Sequence, residues 1–527
     1  TRVLKSRKKK LPKYIRIGTD GKESSDGQSV VLMHAPFTFC LECGAAYSSR
    51  AKSDYAKLTT LSAGGRSTST TILSLATIRQ LQHEGYLEPK ARKLLSFTDN
   101  RQDAALQAGH FNDFIETSLI RAALCQAVEN CGDTGLRHDQ LTQAVASTLD
   151  LPIEAYASDP DVRFMAREET DEALRDVLGL RLYRDLRRGW RVMTPNLEQC
   201  GLLQIQYLSL EDVCAADDVW ENKHPALTTA SATTRQKVAQ TLLDYMRREL
   251  AIQVSYLDRN ALERIQQRSQ QRLISPWAID ENEKPESAAI LYPRSRKASD
   301  YGGNVYLSAR GGFGLFLNRP GTFDAYNQKL DLVNREQIIR DLLDALRIAG
   351  IVEKVDQPAT EDDVGGFQLK AAAIIWKASD GSTPFHDPIR MPQLPESGGN
   401  ANPFFVRFYK SVLDDLKGLR AREHTAQVPY DKRELRENEF RAGKLPIMYC
   451  SPTMELGIDI SQLNVVNMRN VPPTPANYAQ RSGRAGRSGQ PALVFTYCAK
   501  GSPHDQYFFK RQARMVAGVV QPPRIEL

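Results

Sequence analysis

Short apolar segments alternate with helical segments in two distant parts of this 527-residue sequence. The apolar segment 93–98 precedes a helical stretch over 101–122, and the same alternation returns only after residue 400. Short apolar runs between helices are typical of the buried strands of a parallel sheet that carries helices on both faces. The sequence therefore predicts an α/β fold, a doubly wound parallel sheet whose first strand is separated from the others by a large insertion.

The C-terminal part of the sequence supplies the other elements of this sheet. Its short apolar runs predict strands, and its longer amphipathic runs predict helices. The predicted strands are 420–425, 445–450, 463–468 and 492–497, and the predicted helices are 403–418, 431–442 and 475–484. Strands and helices follow one another in the order that a doubly wound sheet requires.

The insertion is mainly helical in pattern. Residues 234–273 form a long amphipathic segment rich in Arg and Gln. A helix at 337–348 is followed by apolar runs at 351–355 and 367–371, which is the element order of a winged helix. The stretch 183–208 suggests a second winged helix. Winged helices either contact duplex nucleic acid or act as protein-docking spacers, and the sequence leaves both interpretations open.

The net charge of +7 is concentrated at the N-terminus. Residues 1–16 contain eight Lys and Arg side chains and no acid, whereas the rest of the chain holds 62 basic against 63 acidic residues. Such an arm either releases counterions from a nucleic-acid backbone or is a solvated end. The hydrophobic fraction of 41 % and the mean hydropathy of −0.44 exclude collagen-like, disulfide-scaffold and mostly disordered classes. No apolar run approaches the roughly 18 residues of a membrane span. We therefore expect no membrane partner.

The eight cysteines are sparse, which favours a location in the reducing cytoplasm. Cys40 and Cys43 form a C-x-x-C pair, one half of a tetrahedral zinc site, and the sequence contains no second pair of this kind. The two thiols are therefore either half of a zinc site completed from elsewhere or two buried cysteines, and the second interpretation is favoured.

A polar loop follows the predicted strand 445–450, and ligands of open α/β sheets collect at such carboxyl ends. Gly457 would let the backbone approach a ligand closely, and Asp459 offers a carboxylate suited to sugar hydroxyls. Thr453, together with nearby amides, is a candidate for holding a phosphate. Taken alone, this is an ordinary strand–loop–helix arrangement.

The strongest chemical signal is a row of arginines between 478 and 489. Arg481, Arg484 and Arg487 are spaced three residues apart, which places them on neighbouring turns of one helix face. Residues 461–504 contain no Asp or Glu. A solvated basic helix is the alternative interpretation, but the glycines between the arginines are poor choices for such a helix. The pattern therefore predicts guanidinium groups that bind an external anion such as a phosphate.

These patterns resemble the second RecA-like domain of a superfamily 2 helicase of the DEAD/DEAH type. The segment 451–459 resembles motif V of that family, 480–487 resembles motif VI almost letter for letter, and 94–99 occupies the place of motif IV. The phrase 97–104, together with the split domain, is similar to very large bacterial helicases of the repair and phage-defence (DISARM-like) branch. The resemblance implies a RecA-like fold that acts on ATP and nucleic acid.

The resemblance also implies roles for the arginine row. Arg484 and Arg487 would be arginine fingers that reach the γ-phosphate of ATP bound to the preceding RecA-like domain. Gln480 and Arg481 would brace the cleft between the two domains. These four residues are therefore the candidate catalytic residues.

The remaining candidate residues would contact the ligands. By resemblance, Gly457 and Asp459 would border the nucleotide, with Asp459 near the ribose. Thr453, Ser96 and Thr98 would contact the backbone of the nucleic acid.

The phosphate-binding half of an ATP site is missing from the sequence, which contains no G-x-x-x-x-G-K-[ST]. The chain also starts at Thr1 without a Met or a signal-type apolar core, as expected for a piece of a larger protein. We therefore expect it to supply half of a composite site for ATP and Mg²⁺. A first RecA-like domain, in cis or on another chain, would complete that site.

The predicted function is the C-terminal motor half of an ATP-dependent helicase or translocase, inactive alone, that acts on nucleic acid, with DNA favoured over RNA. The alternative is a non-catalytic nucleic-acid-binding or scaffolding module that docks on a separate motor. The predicted regions are a basic arm and connector at 1–90, the first part of the RecA-like domain at 91–130, the insertion at 131–400 and the rest of that domain at 401–527.

Overall fold

The computed structural model describes most of the chain. The described residues are 11–18, 22–35, 65–187, 194–298, 300, 302–323, 325–326, 328–357, 364–390, 401–451, 463–486 and 491–519. Within these ranges, no helix combines the length and the apolar character that crossing a membrane demands.

The N-terminal part contains an antiparallel hairpin, a helix, the first strand of the main sheet and a long helix. These elements are β1 (Lys13–Ile17), β2 (Gln28–Leu32), α1 (Gly65–His83), β3 (Leu94–Phe97) and α2 (Arg101–Cys131). Helix α2 begins after Asn100, whose side-chain oxygen accepts a hydrogen bond from the Asp103 amide at 2.8 Å. It ends at Gly132, which has a φ of 60°. The helix therefore extends nine residues beyond the predicted end at 122 and passes into the insertion.

The insertion is mainly helical, as predicted. Its helices are α3 (His138–Leu149), α4 (Met165–Asp185), α5 (Leu210–Ala215), α6 (Asp217–Trp220), α7 (Pro225–Thr228), α8 (Ala232–Arg248), α9 (Arg259–Arg272), α10 (Gly312–Leu317) and α11 (Leu332–Ile348). Its strands are β4 (Leu203–Tyr207), β5 (Ile252–Gln253), β6 (Leu291–Tyr292), β7 (Val305–Tyr306), β8 (Val352–Asp356), β9 (Gly366–Lys370) and β10 (Ile374–Ala378).

The prediction of one continuous amphipathic element over 234–273 is wrong, because the segment is divided into two helices. Helix α8 ends at Arg248, and Leu250 adopts a φ of 57° that no helix continues through. The short strand β5 follows, and α9 begins only after Asp258, whose carboxylate caps the first turn of that helix.

The first stretch interpreted as a winged helix contains the predicted helix and strands, whereas the described residues of the second, 183–208, contain only the end of α4 before β4. Helix α11 leads into β8, which pairs with β9 as an antiparallel ribbon. In the second stretch, β4 pairs with β10, a strand more than 150 residues further along the chain. The winged-helix interpretation of both stretches stays a prediction.

The C-terminal part alternates helices and strands as the sequence predicts. Its elements are α12 (Pro403–Ser411), α13 (Leu413–Leu416), β11 (Ala421–His424), α14 (Tyr430–Arg441), β12 (Ile447–Cys450), β13 (Val465–Met468), α15 (Pro475–Ser482), β14 (Leu493–Thr496), α16 (Pro503–Phe509) and α17 (Gln512–Val516). The helix predicted over 403–418 is divided in two at Val412.

The main sheet has five parallel strands in the order β11-β12-β3-β13-β14. Strand β3 therefore lies at its centre, although the chain builds the whole insertion between β3 and its two neighbours. This arrangement confirms the predicted α/β fold with an interrupted parallel sheet.

Alternating residues of the central strands bury both faces of this sheet. One face, which includes Leu94 and Tyr449, belongs to a large apolar cluster that also contains α1, α2 and most of the insertion. The opposite face, which includes Leu95, Phe97 and Met448, packs against Phe440 of α14 in a second cluster. Helices on both faces leave the carboxyl ends of the strands as the accessible edge, the usual ligand position in such sheets.

Candidate functional site

Three central strands end at the same level of the sheet. Phe97 at the end of β3 pairs with Cys450 at the end of β12 and with Met468 at the end of β13. Because the strands are parallel and in this register, the residues that follow them meet at one edge. The structure thus brings the segment after β3, which resembles motif IV, beside Asn470 and the lead-in to α15.

Asp99 is the charged residue at the centre of this edge. Its carboxylate accepts a hydrogen bond from the side-chain amide of Asn470. Desolvation raises the pKa of the Asp99 carboxyl above its ordinary value, although the positive charges of Arg66 and Arg481 act in the opposite direction. The site therefore contains the Asp99 carboxyl close to two positively charged guanidinium groups.

Ser96 and Thr98 are buried in the sheet. The Ser96 hydroxyl donates a hydrogen bond to the side-chain oxygen of Asn467 at 2.7 Å. The Thr98 hydroxyl lies within hydrogen-bonding distance of the backbone oxygens of Asn100 and Cys450, at 2.9 and 3.1 Å. Both side chains have essentially no exposed surface. Neither hydroxyl is exposed, so in this structure neither Ser96 nor Thr98 can make the predicted contact with nucleic acid.

Helix α15 carries Gln480 and Arg481, the first arginine of the row. Thr474 caps the helix by accepting a hydrogen bond from the Asn477 amide, and Gln480 is exposed on its surface. Arg481 is 1 % exposed, and its guanidinium lies over the Phe97 ring at 5.6 Å from the ring centre. A cation over an aromatic face is held by the ring quadrupole. Arg481 is therefore an anchor between α15 and β3.

Arg484 lies two residues beyond the end of α15 at Ser482 and is half-buried, so the predicted helix over 475–484 is too long and the row does not continue along one helix face to Arg484. Its amide donates a hydrogen bond to the Arg481 carbonyl at 3.3 Å, and the Gly486 amide donates to the Leu463 carbonyl at 2.8 Å. The first bond is local to the row, and the second ties the end of the row to the segment that precedes β13. The row thus differs along its length, since Arg481 is inside the fold and Arg484 reaches the surface.

The expectation that no carboxylate pairs with the arginines of 461–504 is wrong for Arg469. This side chain is 6 % exposed and forms an ion pair with Asp103 at 3.1 Å. It also donates a hydrogen bond to Gln107 at 3.0 Å. Both partners come from α2, more than 350 residues earlier in the sequence. A sequence window without acids therefore does not imply a spatial neighbourhood without them.

Several predicted site residues lie outside the described residues. These are Cys40, Cys43, Thr453, Gly457, Asp459 and Arg487. Where the structure does describe the chain, no group of three or more His, Cys, Asp or Glu side chains is arranged to hold a metal ion. The zinc half site and the nucleotide contacts of the loop after β12 stay predictions.

Asp103 and Gln107 reach the site from the first turns of α2, although no motif in the sequence pointed to either as a site residue. The two residues are spaced i and i+4, so they share one face of the helix. Gln107 is fully buried, and a polar residue at a buried position of a helix is a signal that could have found it. Their partner Arg469 is distant in sequence, so helical periodicity alone could not have identified the contact.

The comparison with protein families agrees with this geometry. Residues 399–489 match the family described as helicase conserved C-terminal domain. This segment includes β11, β12, β13 and the arginine-bearing helix α15. The match confirms the resemblance to the second half of superfamily 2 helicases.

Among curated proteins, the Druantia protein DruE of Escherichia coli (strain UMEA 4076-1) is 39 % identical over 142 residues. The alignment covers 23 % of this chain and 8 % of that protein. The similarity therefore concerns one segment of a much longer relative.

Two solved helicase structures are also similar over part of this chain. The DUF1998 helicase MrfA, bound to DNA and AMPPNP, is 26 % identical over 22 % of this chain and 17 % of that chain, with a TM-score of 0.18. The Mycobacterium smegmatis helicase Lhr, bound to ssDNA and AMP-PNP, is 23 % identical over 24 % of this chain and 17 % of that chain, with the same TM-score.

Proposed function

We propose that this chain is the C-terminal motor half of an ATP-dependent nucleic-acid helicase or translocase. The observation that carries the proposal is the arginine-bearing helix α15 inside the segment that matches the helicase C-terminal domain. Arg481 holds this helix against β3, and Arg484 lies further along at the surface. One end of the row is thus fixed while the other is accessible to a ligand.

The chemistry that the row would support is phosphoryl transfer from ATP. Arg484 and Arg487 would approach the γ-phosphate when the two RecA-like domains close. Always-charged, planar guanidinium groups neutralise the charge that spreads over the transferred phosphoryl group. Arginine fingers of this kind contribute about 10³- to 10⁵-fold to the rate. Arg481 would act by fixing α15, and Gln480 would line the cleft.

The chain would supply only part of the ATP site. Its sequence contains no phosphate-binding loop of the G-x-x-x-x-G-K-[ST] type. We propose that a first RecA-like domain, in cis or on another chain, holds most of the ATP and the Mg²⁺. Gly457 and Asp459, in the loop after β12, would border the nucleotide from this side.

Nucleic acid is the proposed partner, with DNA favoured over RNA. Thr453 and the carboxyl edge of the sheet are the proposed contacts. The basic residues of 1–16 would add sequence-independent affinity by releasing counterions. Opening and closing of the cleft between the domains would then move the strand along this edge.

The Arg484→Ala variant of the complete protein tests the proposal. We expect ATP turnover to fall by about 10³-fold or more, because the transition-state charge loses a partner, while binding of single-stranded DNA stays within about threefold. Turnover is measured by a coupled ATPase assay, and binding is measured by fluorescence anisotropy with matched DNA and RNA strands. Unchanged turnover in Arg484→Ala would show that the finger assignment is wrong.

The matched control is Arg514→Ala. Arg514 is an exposed arginine whose side chain bonds to the Tyr507 hydroxyl, outside the row, and its loss should leave turnover unchanged. The chain alone, without a phosphate-binding domain, should hydrolyse ATP no faster than background. Vigorous turnover by the chain alone that disappears in Arg487→Ala would overturn the half-site proposal.

A further inference from the structure

We propose that Arg469 is a positioning residue for the arginine row, because it clamps the lead-in of α15 to helices α1 and α2. The inference rests on the proposed function, since it concerns the same phosphoryl-transfer site. We define the Arg469 brace as Arg469 together with Ser67, Thr71, Asp103 and Gln107.

The brace joins three elements through one buried guanidinium. Arg469 pairs with Asp103 at 3.1 Å and donates hydrogen bonds to Gln107 at 3.0 Å and to the Ser67 hydroxyl at 3.3 Å. Its backbone amide donates to the Phe97 carbonyl at 2.9 Å. Arg469 therefore fixes the end of β13 to β3, to α2 and to the first turn of α1.

Gln107 completes the connection from the opposite side. Its side-chain nitrogen donates hydrogen bonds to the Ser67 carbonyl at 3.1 Å and to the Thr71 hydroxyl at 3.0 Å. Gln107 and Thr71 have no exposed surface, so water does not compete for these bonds. A planar guanidinium that meets several fixed acceptors holds one geometry, which a flexible ammonium group does not.

The clamped segment leads directly into the arginine-bearing helix. Five residues separate Arg469 from Pro475, where α15 begins, and Asn470 in this link is itself bonded to Asp99. From Pro475 to Ser482 helix α15 rises about 11 Å, and Arg484 lies two residues beyond its end. A tilt of about 5° at the start would therefore move Arg484 by about 1 Å. Misplacement of this size reduces rates by about 100-fold when geometry governs the reaction.

Helix α1 thereby becomes part of the site, although it precedes the first strand of the sheet. Its apolar residues Leu75 and Ile78 are buried in the large core, and Ser74 bonds to the Tyr449 hydroxyl at 3.1 Å. Arg79, about two turns beyond Thr71 of the brace, forms an ion pair with Asp415 at 2.5 Å. The last contact anchors α1 at a point far from α15, so it provides a control.

The test compares substitutions in the complete protein that contains the phosphate-binding domain. Arg469→Met removes the brace, Arg469→Lys keeps the charge opposite Asp103 but not the fork of hydrogen bonds, and Arg79→Ala removes the distant anchor. We measure kcat and KM for ATP, the Kd of a fluorescent ATP analogue, and the melting temperature of each variant.

We expect Arg469→Met to lower kcat about tenfold or more, with the Kd of the ATP analogue unchanged within about threefold. Arg469→Lys should restore part of the loss, and Arg79→Ala should lower the melting temperature without changing kcat. If Arg469→Met does not fold, Asp103→Asn replaces it, because this change is isosteric and removes the negative charge opposite Arg469. A normal kcat in the folded variants would overturn the proposal, as would an equal loss of kcat in Arg79→Ala.

The Arg484→Ala variant separates this inference from the proposed function. If Arg484→Ala abolishes turnover and Arg469→Met leaves it intact, the brace is wrong and the finger assignment stands. If Arg484→Ala retains full turnover, the proposed function itself is wrong.

Discussion

Lys93 shows how a single buried charge is accommodated next to the sheet. It precedes β3, has no exposed surface, and donates a hydrogen bond to the Phe440 carbonyl at 3.0 Å. Its ammonium group also lies 5.0 Å from the centre of the Phe440 ring. The positive charge therefore lies at the C-terminal end of α14, where the helix dipole favours a cation. Burial nevertheless lowers the pKa of Lys93 to about 8.

This pKa predicts a pH dependence of stability. In the unfolded chain the Lys93 pKa returns to 10.5, so the unfolded state binds more protons between about pH 8 and pH 10.5. The contribution of Lys93 to the free energy of unfolding should therefore increase as pH rises through this window. Urea unfolding at a series of pH values should show that the free energy of unfolding of the wild type rises relative to that of Lys93→Met as pH increases.

The control for this prediction is Lys90→Met. Lys90 is exposed, and its substitution should give a difference from wild type that does not change with pH. A constant difference for Lys93→Met over the same window would show that the ammonium group titrates as it does in water.

At the residue scale, the sequence identified the arginines but not their partners. The spacing of Arg481 and Arg484 predicted one helix face, but α15 ends at Ser482, so the structure places Arg481 on the helix and Arg484 two residues beyond it. The burial of Arg481 over Phe97 and the pairing of Arg469 with Asp103 depend on contacts across the sheet. Local periodicity contains no information on such contacts.

At the scale of elements, the strands of the main sheet were the most predictable part of the fold. Strands such as β3 and β12 are continuous apolar runs because the sheet is buried on both faces. The break between α8 and α9 was not predictable, because the amphipathic pattern continues through Leu250 and only its positive φ ends the helix. Nor did the sequence, which predicted a basic arm and connector at 1–90, reveal that α1 packs onto the sheet.

At the scale of the whole molecule, the insertion and the sheet share one apolar core. The large cluster runs from Leu94 of β3 through α2 to Trp376 of β10. Arg121 reinforces the junction, because its buried guanidinium bonds to Asp185 of α4 at 2.6 Å and to the Tyr409 hydroxyl of α12 at 3.0 Å. The apolar core therefore continues without interruption from the RecA-like part into the insertion.

We predict that the two parts unfold together. Trp220, Trp277 and Trp376 are buried in the insertion, so tryptophan fluorescence reports mainly on that part. Hydrogen exchange of peptides from β12 and β13, followed by mass spectrometry, reports on the sheet. The urea midpoints of the two signals should coincide because the core is shared. Separate midpoints would contradict a continuous core.

Arg121→Ala tests the junction directly. The change leaves the Asp185 carboxylate without its buried partner, so the free energy of unfolding should fall by about 3 kcal/mol. Arg187→Ala is the control, because its ion pair with Glu286 is exposed and should contribute little. Similar midpoints for the two variants would show that Arg121 does not stabilise the junction.

The central position of β3 has a consequence for synthesis of the chain. The ribosome releases β3 before the whole insertion, while both of its sheet neighbours follow that insertion. During translation this fully buried central strand therefore lacks its hydrogen-bonding partners until the insertion has been made. Unpaired apolar strands promote aggregation during folding. Helices α1 and α2 share an apolar cluster with Leu94 of β3. Early folding of these helices would therefore cover part of the strand until the nascent chain is complete.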